Sequence, residues 1–125
     1  MNYRNTWQKN RIYQEIETKG HISTEELILN LDNEKISVAT IYRNLKILQE
    51  EHRIKPIRCT NRILYETIKH NHYHFECLEC HRVFDIDANL VSLKIDRSIT
   101  EEVSKKEVFL YGICKYCQKA KEENN

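Results

Sequence analysis

Apolar residues near the start of the chain recur at the spacing of one helical face. A first helix is predicted from Thr6 to Lys19. Its apolar stripe consists of Trp7, Ile12, Tyr13 and Ile16. Gly20 suits the left-handed conformation in which helices often end. A second helix is predicted to about Leu31, because Ser23 and Glu26 form a capping box at its start.

A third predicted helix carries both an apolar stripe and a polar face. Ser37 is its expected cap. The stripe consists of Val38, Ile41, Leu45 and Leu48. The residues expected to point outward are Thr40, Arg43, Asn44 and Lys46, with Tyr42 at the margin. Three short helices ending in such a face are typical of a helix-turn-helix with a recognition helix. The alternative is a helical bundle whose charged face is only solvated.

Two short strands follow the third helix. Residues Ile54–Arg58 and Ile63–Thr67 flank a turn at Thr60 and Asn61, which suits the wing of a winged helix. In such a domain an arginine can bind guanine in the major groove, and a tyrosine ring can contact a thymine methyl group. The expected DNA contacts are therefore Tyr42 and Arg43, supported by Ser37, Thr40 and Lys46.

Composition and charge narrow the possible classes. The 125 residues are 40% apolar and 31% charged, which is typical of a folded chain. A net charge of +1 excludes a strongly basic coat for non-specific nucleic-acid binding. Positions 1–60 hold ten Lys or Arg against eight Asp or Glu, so any basic surface is expected there. With no long apolar run and no signal-peptide core, a cytoplasmic location is expected.

The length indicates one domain or two very small ones, and we expect a division into residues 1–68 and 69–125. Two such halves can each bury only a marginal core. Metal or a partner chain is therefore expected to contribute stability.

In the second half of the chain, polar and apolar residues alternate before and after a turn that contains two cysteines. Read as extended chain, the run before the turn places His72 and His74 on one face, and Asp85 lies in the alternating run after it. A helix is predicted over 90–103, because an apolar residue recurs every fourth position at Val91, Ile95, Ile99 and Val103. A strand is predicted over 106–112.

Four cysteines form two CxxC pairs, Cys77 with Cys80 and Cys114 with Cys117. Four thiolates are the ligand set of a structural zinc ion. The alternatives are a disulfide, which a reducing compartment disfavours, and a thioredoxin-like redox pair, which lacks its βαβ context here. The remaining Cys59 is interpreted as an ordinary thiol in the wing.

His72, His74 and Asp85 form a second candidate metal site. Mixed nitrogen and oxygen ligands suit Fe(II), Mn(II) or Zn(II). The alternatives are ordinary surface residues, or a hydrolytic metalloenzyme, which also needs a general base and a substrate pocket that the sequence does not indicate.

Together these residues resemble the ferric uptake regulator family of bacterial metal-dependent repressors. The matching segments are Ser37-Val-Ala-Thr-Ile-Tyr-Arg-Asn-Leu45, His72-Tyr-His-Phe-Glu-Cys-Leu-Glu-Cys80, Val83-Phe-Asp85-Ile and Tyr111-Gly-Ile-Cys-Lys-Tyr-Cys117. The resemblance implies an α+β chain with an N-terminal winged helix-turn-helix and a small α/β dimerisation domain carrying a four-cysteine zinc site. It also implies a homodimer that binds a palindromic operator in double-stranded DNA, and a protein that is not an enzyme.

By position, the resemblance adds His21 and Glu66 to His72, His74 and Asp85 as ligands of a regulatory Fe(II) or Mn(II) ion, with Zn(II) possible. Asp85 and the His72-Tyr-His74 triplet look like the peroxide-responsive branch, whereas Glu66 looks like the iron-uptake type. Peroxide sensing is the expectation. Iron or zinc uptake regulation, or a thiol switch that expels zinc, are the alternatives.

Overall fold

The computed structural model describes residues 6–69 and 71–123, and it divides the chain into two compact units between Ile68 and Lys69. The N-terminal unit contains three helices, α1 (Thr6–Lys19), α2 (Thr24–Asn30) and α3 (Val38–Glu50). Its three strands are β1 (Ile22–Ser23), β2 (Ile54–Arg58) and β3 (Ile63–Thr67), in the order β1-β3-β2. This is the predicted winged helix-turn-helix.

Local signals set the ends of these helices. Gly20 follows α1 with a φ of 80°, and its N–H donates to Ile16 at 2.9 Å. The side chains of Ser23 and Ser37 accept hydrogen bonds from the third following N–H, each at 3.1 Å. The predicted helix ends and caps are therefore confirmed.

The core of the N-terminal unit is an apolar cluster contributed by the three helices, by strands β1 and β2, and by the connection between α2 and α3. Its buried members are Ile12, Ile16, Ile22, Leu27, Leu31, Ile36, Ile41, Leu45, Leu48 and Ile54. The aromatic ring of Tyr13 packs against this cluster and also lies 4.3 Å from the Arg53 guanidinium. The predicted Trp7 belongs to the exposed surface instead, because it lies in the first turn of α1.

Three positions of α3 differ from the prediction. Val38, expected in the stripe, is exposed in the first turn. Thr40 and Asn44, expected to point outward, are buried. The Asn44 side-chain amide donates to the Thr40 carbonyl at 2.9 Å, so the helix itself satisfies part of this buried polar group.

The C-terminal unit is a three-stranded sheet with one helix. Strand β4 (His72–Cys77) lies between β5 (Val83–Asp87), to which it is antiparallel, and β6 (Phe109–Gly112), to which it is parallel. Helix α4 (Lys115–Glu123) follows β6. A side chain at Gly112 would meet the Phe75 ring at 3.3 Å, so this position favours glycine.

The helix predicted over 90–103 is wrong. A short 3-10 turn ends at Leu90, and residues 91–108 have neither helical nor strand structure. Three of the four residues that gave the helical period, Ile95, Ile99 and Val103, are exposed. A helix of this length depends on packing its apolar face, and β-branched residues do not favour it on their own. The predicted strand over 106–112 is shorter and begins at Phe109.

Among the residues that the structure describes, no helix is both long and apolar enough to cross a membrane.

Candidate metal centres and DNA-binding helix

Four cysteine thiols converge in the C-terminal unit. Cys77 ends β4 and Cys80 lies in the turn that follows it, whereas Cys114 precedes α4 and Cys117 lies in its first turn. The Sγ atoms of Cys77 and Cys117 are 3.7 Å apart, and those of Cys80 and Cys114 are 3.9 Å apart. Tetrahedral zinc with bonds of about 2.3 Å separates its sulfurs by about 3.8 Å. The four thiols therefore have the spacing of a zinc tetrahedron.

Neither alternative for these cysteines fits the structure. All five cysteines are unbridged, and a disulfide would bring two sulfur atoms to about 2 Å. The first CxxC pair occupies the turn of an antiparallel hairpin, which is not the βαβ setting of a thioredoxin-like motif. Cys59 directly follows β2, where its N–H donates to Arg62 at 2.9 Å.

The surroundings of the thiols differ, and so do their pKa values. Burial raises the pKa of the Cys77 thiol, but backbone N–H groups, first that of Cys114 and then that of Cys80, outweigh it and lower the pKa to about 6. Arg82 lowers the pKa of Cys80 through its backbone and its Nε, which lies 3.4 Å from Sγ. Burial, with the neighbouring sulfurs, raises the pKa of Cys117 to about 12. All four thiols can ionise together only when a cation lies between them.

Side chains outside the cluster also connect its two halves. The Arg82 guanidinium lies 5.3 Å from the ring centre of Tyr116, which stands between the cysteines of the second pair. The Phe84 ring lies 6.4 Å from the same tyrosine. Lys121 of α4 forms an ion pair with Glu79 in the first cysteine turn. The β4–β5 turn and α4 are thus joined by charge and ring contacts as well as by the thiols.

Two histidines and an aspartate converge on the β4–β5 hairpin. His74 lies opposite Asp85 in the strand register, and His72 is two residues away on the same face. The Nε2 atoms of His72 and His74 lie 3.6 and 3.8 Å from Oδ1 of Asp85. Both imidazoles are nearly buried, and their ring centres are 4.7 Å apart. Two nitrogens facing one carboxylate oxygen form half of a coordination sphere that Fe(II), Mn(II) or Zn(II) accepts.

The other two expected ligands lie together in the N-terminal unit. His21 precedes β1, whose Ile22 pairs with Tyr65 of β3, and this pairing brings it beside Glu66. His21 Nε2 is 3.2 Å from Glu66 Oε2, and the Glu66 side chain is fully buried. Lys55 lies directly opposite on β2, with Nζ 3.5 Å from Oε1. A buried carboxylate is costly without such positive partners. The five expected regulatory ligands thus form two groups, one in each unit.

The expected DNA contacts lie along α3. Tyr42, Arg43 and Lys46 are exposed, and Tyr42 borders a groove that the β2–β3 turn also lines. Ser37 caps the helix and is exposed. Thr40 is largely buried, but its Oγ1 accepts a hydrogen bond from the Arg43 guanidinium at 3.4 Å. An exposed cation is therefore held in a defined position on the outer face of the helix.

Sequence reasoning missed Lys55, although a signal for it was present. The turn at Thr60 and Asn61 fixes the hairpin register, and counting back equally from both sides pairs Lys55 with Glu66. It also missed Lys69, whose Nζ lies 3.5 Å from Oδ2 of Asp85, and for which no local pattern gave a signal.

Comparison with known proteins gives consistent results. The model of the ferric uptake regulator family matches residues 1–120. The peroxide-responsive repressor PerR of Staphylococcus aureus (strain USA300) is 30% identical over 111 residues, which cover 82% of this chain and 74% of that protein.

Solved structures agree in fold. The Campylobacter jejuni peroxide stress regulator is 26% identical with a TM-score of 0.74, and 91% of each chain is covered. The ferric uptake regulator of Helicobacter pylori is 21% identical with a TM-score of 0.71, over 91% of this chain and 81% of that one. This second likeness concerns the fold alone. The chain belongs to the ferric uptake regulator family, whose members are metal-binding transcriptional regulators that bind DNA and are not enzymes.

Proposed function

We propose that this protein is a cytoplasmic, homodimeric repressor that binds a palindromic operator and senses peroxide through a regulatory Fe(II) or Mn(II) site. The observation that carries the proposal is that each unit contains part of the expected set of regulatory metal ligands, which we call a metal half-site. One unit presents His72, His74 and Asp85, and the other presents His21 and Glu66. Cys77, Cys80, Cys114 and Cys117 hold the structural zinc, for which their sulfur spacing is suited.

The half-sites supply a mechanism for metal dependence. An ion that draws ligands from both units favours the arrangement in which those ligands meet. Metal binding therefore shifts the population toward one relative orientation of the units, which we propose is the one that binds DNA. Loss of the ion, or of a ligand, removes that bias and weakens operator binding.

DNA recognition is assigned to α3. Arg43 is the candidate for a guanine edge or a phosphate, Tyr42 for a thymine methyl group, and Lys46 for a phosphate. Ser37 supports the contact at the start of the helix, and Thr40 supports it by holding Arg43. A twofold-symmetric dimer presents two such helices to the two halves of the operator, and this symmetry explains why the operator is palindromic.

Asp85 supports the peroxide assignment, together with the likeness to peroxide-responsive regulators at 30% and 26% identity. Fe(II) held by these residues would supply peroxide-dependent oxidation chemistry. The expected targets are the imidazoles of His21 and His72. One oxygen atom of the peroxide would be added to one of these rings, and the other would leave as water. An oxidised imidazole is a poorer ligand, so peroxide would release the DNA.

The test is operator binding by zinc-replete protein titrated with Fe(II), Mn(II) or Zn(II), with and without brief exposure to peroxide. We expect Fe(II) and Mn(II) to activate binding, and peroxide to abolish it only for the iron-loaded form. Mass spectrometry should then find about 16 Da, the mass of one oxygen atom, added at His21 or His72. The same mass is added when other side chains gain one oxygen on oxidation.

Other outcomes identify the alternatives. Iron-dependent operator binding that resists peroxide would indicate an iron-uptake regulator. Activation of operator binding by Zn(II) alone would indicate a zinc-uptake regulator. Zinc release that follows the loss of DNA binding, without histidine oxidation, would indicate a thiol switch.

A further inference from the structure

Each candidate regulatory carboxylate lies beside a lysine of its own unit. In the N-terminal unit, Lys55 Nζ is 3.5 Å from Glu66 Oε1. In the C-terminal unit, Lys69 Nζ is 3.5 Å from Asp85 Oδ2. The first carboxylate is fully buried, whereas the second is 37% exposed. The same pairing of an acidic ligand with an ammonium group thus occurs twice, once in the interior and once near the surface.

The two pairs also share an arrangement of atoms. His21 faces Oε2 of Glu66 and Lys55 faces Oε1. The imidazoles of the other half-site face Oδ1 of Asp85, and Lys69 faces Oδ2. In both cases one oxygen is directed to nitrogen donors that can share a metal ion, and the other is occupied by a fixed positive charge.

This arrangement has an electrostatic consequence for metal affinity. A lysine on the outer oxygen withdraws negative charge from the carboxylate and repels a divalent ion that binds the inner oxygen. The repulsion is strongest where water is excluded, as at Glu66, and is reduced by solvent and salt at Asp85. The lysines also balance the carboxylate charge of the metal-free protein, which lowers the free energy of that state.

We propose that Lys55 and Lys69 set the metal concentration at which this regulator responds, because they weaken the regulatory site by neutralising its two carboxylate ligands. The proposal rests on the proposed function, since it concerns the affinity of the same site. The lysines are not ligands. They act through Glu66 and Asp85, and their effect is a threshold rather than a change in which metal is bound.

The experiment measures Mn(II) affinity at pH 8 on zinc-replete full-length protein, by competition with a chromophoric chelator. We expect Lys55→Met to bind Mn(II) about tenfold more tightly, as expected for a pair with a buried member. Lys69→Met is expected to bind about two- to fivefold more tightly, the range of an exposed ion pair. Lys55→Arg keeps the positive charge and should retain the wild-type affinity.

Two matched controls remove lysines that pair with other carboxylates. Lys9 pairs with Glu51 at 2.9 Å in the N-terminal unit, and Lys105 pairs with Glu107 at 3.1 Å in the C-terminal unit. Lys9→Met and Lys105→Met should leave Mn(II) affinity unchanged. If Lys9→Met and Lys105→Met bind Mn(II) more tightly by the same factor, the effect comes from net charge alone and the proposal is overturned.

The outcomes separate this inference from the proposed function. If the wild-type protein takes up neither Mn(II) nor Fe(II) beyond its zinc, the proposed regulatory site is refuted, and this proposal with it. If it takes up Fe(II) alone, the same variants are compared by their Fe(II) affinity. If Mn(II) binds but Lys55→Met and Lys69→Met bind it equally or more weakly, only the lysine proposal fails. Lys69 is near the surface, so its variant decides the question even if Lys55→Met does not fold.

Discussion

The two units of this protein reach a folded state by different means. Among the described residues, twelve buried apolar side chains belong to the N-terminal unit and three to the C-terminal unit. Two of those three are Cys77 and Cys114, members of the thiol cluster. The C-terminal unit therefore places candidate zinc ligands where the N-terminal unit places isoleucine and leucine.

The difference shows how function is distributed. Burial of apolar surface stabilises the N-terminal unit, on which α3 presents polar groups at the surface. With zinc bound as proposed, the C-terminal unit would depend on coordination bonds, and it leaves apolar residues such as Leu90 and Ile95 exposed. A partner subunit in the proposed homodimer is the expected cover for these residues.

The largest expected effect comes from removing the zinc. Cys114→Ser should lose zinc and the ordered β-sheet of the C-terminal unit while α1–α3 remain folded, because structural zinc contributes about 10–16 kcal/mol in small domains. Hydrogen exchange should show loss of protection at the β4 amides and retention at the α3 amides. Cys59→Ser is the matched control and should keep one zinc per chain. If the β4 amides of zinc-free Cys114→Ser stay protected from hydrogen exchange, the C-terminal unit does not need zinc to fold, and the proposed difference between the two units is wrong.

A core substitution should have the opposite effect. Leu48 is completely buried, so Leu48→Ala should lower the free energy of unfolding of the N-terminal unit by about 2–5 kcal/mol. Zinc content should not change. Leu29→Ala, at a position that is 76% exposed, should change stability by less than about 0.5 kcal/mol. Denaturant unfolding followed by Trp7 fluorescence measures both. Equal destabilisation by the two variants would argue against the described core.

A surface substitution on α3 should separate function from fold. Arg43→Ala should weaken operator binding by about 1–3 kcal/mol, roughly 5- to 150-fold, because a specific base or phosphate contact is lost. Unfolding and metal content should stay the same. Lys46→Ala should instead weaken binding to all sequences and reduce its salt dependence. Unchanged operator affinity of Arg43→Ala, measured by fluorescence anisotropy, would remove α3 from the recognition surface.

The elements that the sequence predicted correctly are those determined by local signals. The hairpin of β2 and β3 matches residue for residue, because the turn and the apolar alternation fix it without reference to the rest of the chain. The four cysteines were found because two identical CxxC pairs are a local pattern. The caps at Ser23 and Ser37 are local for the same reason.

The errors concern residues whose environment is set by distant contacts. Asn44 was expected outside because it is polar, but a hydrogen bond to Thr40 allows it to be buried. The period of Ile95, Ile99 and Val103 resembles a helix, yet each of these side chains is about half exposed and none joins the buried core of the described chain. Spacing alone did not select His21 and Glu66, since the pairing of β1 with β3 that brings them together joins residues more than forty positions apart.

The smallest effect tests whether the zinc site depends on residues beyond its ligands. Arg82 donates to Cys80 and lies over Tyr116, so it joins the two cysteine pairs without binding metal. Arg82→Gln should leave zinc stoichiometry intact but increase the rate of zinc transfer to a chromophoric chelator by about three- to tenfold, the low end for residues that support metal ligands. Arg82→Lys keeps the charge but loses the Nε donor, so it should restore only part of the wild-type rate. Arg97→Gln removes another exposed arginine of the same unit and should have no effect. If Arg82→Gln releases zinc at the wild-type rate, the four thiols alone account for the kinetic stability of the zinc site. The C-terminal unit would then depend on its coordination bonds even more than the comparison with the N-terminal unit implies.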